Sequence, residues 1–145
     1  MALRTRLDPV VRLEEHREER SLAQLAAANR QLMAAQNALQ QAQDHAQEDH
    51  RTPGPACLWD VAEYAHVHAR LAVEQAERDA AAAQNAQGSS RTQYLSVHAR
   101  AEAIRKVATS RREELLREGE KSSGREIEDM MLMRRRPVRV GKATG

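Results

Sequence analysis

Phenylalanine is absent from this chain, and Trp59, Tyr64 and Tyr94 are its only aromatic residues. Large aromatic side chains dominate the burial of ordinary cores, so their scarcity argues against a conventional globular interior. Cysteine occurs once, at Cys57. That excludes an internal disulfide and fits a reducing compartment. Strand-forming Ile, Val, Tyr and Thr never cluster into alternating runs, which argues against a sheet. No apolar run approaches the ~18 residues of a membrane span, and no signal-peptide pattern is present. The expected setting is cytoplasmic.

The marks of catalysis are equally scarce. The six glycines are scattered and form no phosphate-cradling loop. No nucleophile elbow and no Cys-x-x-C occurs. Acidic pairs such as Glu14-Glu15, Glu18-Glu19 and Glu113-Glu114 intermix with arginines at helical spacing. They read as exposed i,i+4 ion pairs, since acid/base catalysts need a burying pocket to shift their pKa. His66 and His68 lie about 200° apart on a helix and cannot share a ligand face. His45, His50 and Cys57 flank a turn and could approach one another, but solvated side chains at a loop are the favoured reading. The expectation is no enzyme, no cofactor, no metal and no small-molecule substrate.

What the chain has in quantity is Ala, Leu, Glu, Arg and Gln, the composition of long helices. The expected class is all-α, a long antiparallel two-helix coiled-coil hairpin with a partly disordered basic tail. Asp8 and Pro9 suit the N-cap and first position of a helix. No further Pro or Gly occurs before "RTPGPA" at residues 51–56, so a first helix is expected over 8–50. The Pro-Gly-Pro run then imposes a turn over 51–56. A second helix is expected over 57–118, with "QGSSR" a candidate kink near residue 88. Gly119 and Gly124 should break it, leaving a short helix over 125–135 and a disordered tail over 137–145.

Periodicity supplies the pairing. Leu25, Leu32 and Leu39 recur every seven residues, with Ala28, Ala35 and Ala42 between them, and Leu22 and Met33 flank that stripe. In the second helix Leu58, Ala62, Ala65, Ala69, Ala72, Ala76 and Ala83 step by three and four, lapsing at Asp79. Tyr94, Val97, Ala101, Ile104 and Ala108 continue one position displaced, as a stutter would give. Both helices thus carry a narrow coiled-coil seam, with leucines facing small alanines. A turn centred near Gly54 sets residue i against about 107 − i, placing Leu39 by Ala69 and Leu25 by Ala83. The seam alone leaves open a monomeric hairpin or a dimer of straight helices.

Charge is uneven. Residues 91–145 hold fourteen basic and eight acidic residues, whereas residues 1–50 hold six and eight. Trp59 and Tyr64 follow the turn and either pack on the first helix or anchor a partner there, packing being favoured. Ile127, Met130, Met131, Leu132 and Met133 form an apolar patch suited to an adaptable contact. The "RRRPVRV" segment could attract nucleic acid electrostatically, but it is short and lacks interleaved aromatics, so this is the weaker reading.

The segments "LDPVVRLEEHREERSLAQLAAANRQL" (residues 7–32) and "SRREELLREGEKSSGREIEDMMLMRRRP" (residues 110–137), with the turn two-fifths along the chain, resemble FliJ. FliJ is the stalk-like component of the flagellar type III export apparatus, with SctO/YscO-type counterparts in injectisomes. Aromatics are scarcer here than in that family, and Gly119 and Gly124 interrupt the terminal helix. The resemblance implies a hairpin like the coiled coil of the rotary ATP synthase γ subunit. Its end carrying the termini would engage the central hole of a hexameric export ATPase and promote ring assembly and activity. It would link that ring to the membrane export gate and to export chaperones, peripheral to the membrane and without inserting in it. On that resemblance Arg105, Lys106, Arg111, Arg112 and Arg117, with the acidic pair Glu128-Asp129, are the candidate contact residues. A generic coiled-coil adaptor with no ATPase partner is the alternative.

Overall fold

The computed structural model describes residues 4–48 and 54–135. They form two helices, α1 at Asp8–Gln47 and α2 at Ala56–Arg135, packed against each other as a helical hairpin. No strand occurs among the described residues. The expected all-α hairpin is therefore what the chain adopts. The tail over 137–145 and residues 51–53 of the expected turn lie outside the described residues.

At the start of α1 the Asp8 carboxylate reaches back instead of capping the N–H groups ahead of it. Thr5 N and Thr5 Oγ1 donate to the Asp8 carboxylate at 3.1 and 2.8 Å, and Asp8 N donates to Thr5 O at 3.1 Å. The acid thus satisfies an N–H before the helix, one half of a capping box. Pro9 follows where its missing N–H costs little, because Asp8 N already occupies the Thr5 carbonyl. At the other junction Leu58 N donates to Pro55 O at 2.9 Å as α2 begins.

α2 runs unbroken through Gly88, Gly119 and Gly124, so the expected break after residue 118 and the separate helix over 125–135 are not found. No glycine among the described residues takes a positive φ. A glycine in a helix interior costs roughly 0.5–1 kcal/mol, too little to end a helix without a proline. Thr92 Oγ1 donates to Gly88 O at 3.0 Å, a back-bond within the helix at that point.

Contacts divide the chain into two compact units, one of Leu13–Ala101 and one joining Met1–Arg12 to Glu102–Gly145. Within the first, inward positions on α1 fall at residues 14, 18, 21, 25, 28, 32, 35, 39, 42 and 46, an unbroken heptad alternation. On α2 they fall at 62, 65, 69, 73, 76, 80, 83, 87, 90, 94, 97 and 101. Leu25, Leu32, Leu39, Ala69, Ala76, Ala83 and Val97 thus lie in the seam as expected. Leu22 does not: it is 50% exposed, Met33 likewise faces out, and Leu58, expected at the head of the α2 seam, is exposed too.

Two further corrections concern α2. Val73 and Ala80 turn inward where Ala72 and Asp79 were expected, so no lapse occurs at Asp79. The extra residue that shifts the phase falls instead between Ala65 and Val73, where two four-residue steps follow one another. The register also differs. Glu18 was expected to face residue 89 but meets His98, a displacement of nine residues or about two and a half turns. Ala46 and Gln47, near the end of α1, share a groove with Arg70 and Val73. The first three turns of α2, which include the half-buried Ala62 and Ala65, therefore precede the stretch level with the end of α1.

Among the described residues the buried apolar side chains are all alanines: Ala28, Ala69 and Ala101 in one unit, and Ala108 in the other. Small side chains let the helix backbones approach closely, with half-buried leucines filling the margins. Within the second unit Leu7, Val11, Ile104 and Leu115 are half-buried beside Ala108.

Candidate functional site

The seam of the Leu13–Ala101 unit becomes polar at one end. Glu14 occupies the position that Ala28 and Ala35 hold further on, and it is only 2% exposed. Its Oε1 accepts from Arg17 Nη1 at 2.8 Å and lies 3.3 Å from Arg100 Nε. Its Oε2 is buried without a hydrogen-bond partner, as is Ser21 Oγ one heptad later. Between them Glu18 Oε1 meets His98 Nδ1 at 2.5 Å, and the His98 ring stacks on Tyr94 with centroids 5.7 Å apart. Glu14 and Glu18 are therefore not the exposed ion-pairing residues that their neighbouring arginines suggest. Spacing carries the signal: 14 and 21 continue the seven-residue series of 28, 35 and 42 backwards.

In the unit formed by Met1–Arg12 and Glu102–Gly145, Arg112 Nη2 donates to Asp8 Oδ1 at 2.7 Å. This guanidinium, with the Thr5 hydroxyl and amide, holds the Asp8 carboxyl down to about 2 from its ordinary 3.8. Arg112 thus ties α2 to the start of α1.

The other basic candidates are exposed or half-buried but do not converge. Arg105 Nη1 donates to Glu102 at 3.2 Å, Arg111 Nη1 to Glu114 at 2.9 Å, and Arg117 lies 4.0 Å from Glu113. The Glu114 bond raises the Arg111 pKa above its usual value. At 100° per residue Arg105 and Arg112 share one side of α2, Lys106 and Arg117 a second, and Arg111 a third. The basic residues encircle the helix instead of forming one patch. Glu128 and Asp129 are exposed further along.

Two apolar faces stand open. Trp59 and Tyr64 are each 67% exposed, so neither packs on α1. Val61, Tyr64, Val67 and Leu71 are exposed as well and fall on the side of α2 turned from its seam. That stripe was not legible in the heptad reading, which followed only the alanines. Leu116, Ile127, Met130, Met131 and Met133 are exposed in the other unit.

No group of three metal-ligating side chains occurs among the described residues. His45 pairs with Glu48 at 3.2 Å, Cys57 is exposed, and His50 lies outside the described residues. No helix of the described residues is long and apolar enough to cross a membrane.

These features define an all-helical hairpin with a coiled-coil seam, polar at one end, and open apolar faces on α2. No family model matches the chain, and neither curated proteins nor solved structures give a match.

Proposed function

We propose that this chain is a non-enzymatic stalk of a flagellar or type III protein export apparatus. It engages a hexameric export ATPase, promotes its assembly and turnover, and links it to the export gate and chaperones from the cytoplasmic side. The observation that carries the reading is the hairpin itself: two long helices over an alanine seam. Two packed helices are ~20 Å across, a width a ring pore can admit. The resemblance of residues 7–32 and 110–137 to the stalk family supports the same assignment.

Arg105, Lys106, Arg111 and Arg117 encircle α2, and a ring of basic groups suits a surrounding pore lining better than a flat partner. Charges that stay solvated bind weakly, which is compatible with turning inside the pore. Arg112 is engaged by Asp8 and serves the hairpin first. Glu128 and Asp129 supply acidic contacts on the same helix.

The test is addition of the purified chain to a hexameric export ATPase. Co-elution and a several-fold rise in ATP turnover are expected, reduced in an Arg111→Glu, Arg117→Glu variant that keeps its helicity. Unchanged turnover and separate elution would leave the generic coiled-coil adaptor as the better account.

A further inference from the structure

We propose that α1 and α2 pair in two registers: the one seen, and a second in which α1 stands one heptad nearer the start of α2. Glu18 against His98 and Ala46 beside Arg70 put residue i level with about 116 − i. In the second register residue i comes level with about 109 − i, an advance of ~10 Å. Packed helices settle into discrete positions a turn or more apart, because interdigitated side chains are bistable and not continuously deformable.

The seam of α2 accepts the step. Seven residues before every inward position from 69 to 101 lies another inward position, save for Val73, whose counterpart His66 adjoins inward Ala65. Leu25, Leu32 and Leu39 come beside Ala83, Ala76 and Ala69, so large again meets small. There is also helix to advance along. The first three turns of α2 lie beyond the level of Gln47, and half-buried Ala62 and Ala65 continue the inward series there. Covering Ala62 and Ala65 replaces the cover that α1 gives Ala108, one small side chain for another. The link permits the step. Gln47 and Ala56 are nine residues apart and can be at most ~30 Å apart, and the advance brings them closer.

Polar groups decide between the two registers. In the one seen, Glu14 holds Arg100, Glu18 holds His98 and Asp8 holds Arg112. Yet Glu14 Oε2 and Ser21 Oγ are buried without a partner, an arrangement that costs stability. The advance exchanges contacts instead of abolishing them. Exposed Arg91 lies one heptad before His98 and comes level with Glu18. Arg105 lies one heptad before Arg112, so Asp8 passes from one guanidinium to the other within their unit. Glu14 keeps Arg17 on its own helix and comes beside Tyr94, whose hydroxyl is a donor. Ser21 comes beside Gln87, whose amide both donates and accepts. Both orphaned atoms thus gain a partner, while Arg100 and His98 lose theirs. Both registers belong to the hairpin alone, and no ATPase is needed to populate or detect them.

The test is disulfide formation within single molecules, in a Cys57→Ser background. Ala35→Cys with Ala80→Cys reports the register seen, and Ala35→Cys with Val73→Cys reports the second. Ala35→Cys with Gln87→Cys, one heptad the other way, matches neither. On mild oxidation the 35/80 pair should close fastest, the 35/73 pair several-fold more slowly, and the 35/87 pair hardly at all. His98→Gln with Arg100→Gln should raise the 35/73 rate several-fold and lower the 35/80 rate. Arg91→Glu, at an exposed site, should slow the 35/73 pair in an otherwise unaltered seam, with helicity unchanged by circular dichroism. A 35/73 pair that never closes overturns the proposal. So does a 35/73 rate no greater than that of the 35/87 pair, or one that neither the His98 and Arg100 substitutions nor Arg91→Glu alters.

Discussion

Glu14 has one carboxylate oxygen between two guanidinium groups and the other buried with nothing to accept from. A buried charge that is only half satisfied weakens a fold more than an apolar side chain of similar size. Glu14→Leu should therefore raise stability by ~1–2 kcal/mol in urea unfolding, the released arginines being solvated already. The expected cost is in alignment, because a buried polar group in a coiled-coil seam penalises wrong registers. Asp8 gives the opposite case, a carboxyl favoured in its charged form. Its folded pKa of about 2 lies below the ordinary 3.8, so its contribution is full above about pH 4. That contribution disappears as pH falls through about 2. NMR titration of Asp8 should show the low pKa, returning toward the ordinary value in Arg112→Ala.

Each helix carries its own consequences. Gly88 faces solvent with open space around it and helical backbone angles, so Gly88→Ala should stabilise α2 by ~0.5–1 kcal/mol in thermal unfolding. Leu32→Asp with Leu39→Asp places charge in the seam and should lower helicity strongly by circular dichroism. Helix existence, the hairpin and the α1 stripe were legible in the sequence, because Leu25, Leu32, Leu39 and the intervening alanines repeat without interruption. The phase of α2 was not. Ala72 and Ala80 are chemically identical, and only packing decides that Val73 and Ala80 turn inward. The register was misjudged because Pro53-Gly54-Pro55 looks like a tight turn, whereas pairing begins three turns into α2. The polar end was missed because Glu14 and Glu18 also fit surface ion pairs with neighbouring arginines. The encircling arrangement of Arg105, Lys106, Arg111 and Arg117 could have been drawn from a helical wheel once α2 was known to be continuous.

Across the chain, stability is expected to be graded. Hydrogen exchange should be slowest at seam amides around Ala28, Ala69 and Ala101, and fast over 56–68 and over 113–135. The alanine seam has one further implication. Leu and Ala alternate along α1 every seven residues, so over Leu25–Ala42 a slip of two turns meets a similar set of side chains, and apolar contact there sets little preference among neighbouring settings. Glu14–Arg100 and Glu18–His98 then act as a detent, locking one phase of an otherwise smooth slide. Loosening that catch, by substitution or by a partner that captures Arg100, would let the arms shear past one another and carry motion from one end of the seam to the other.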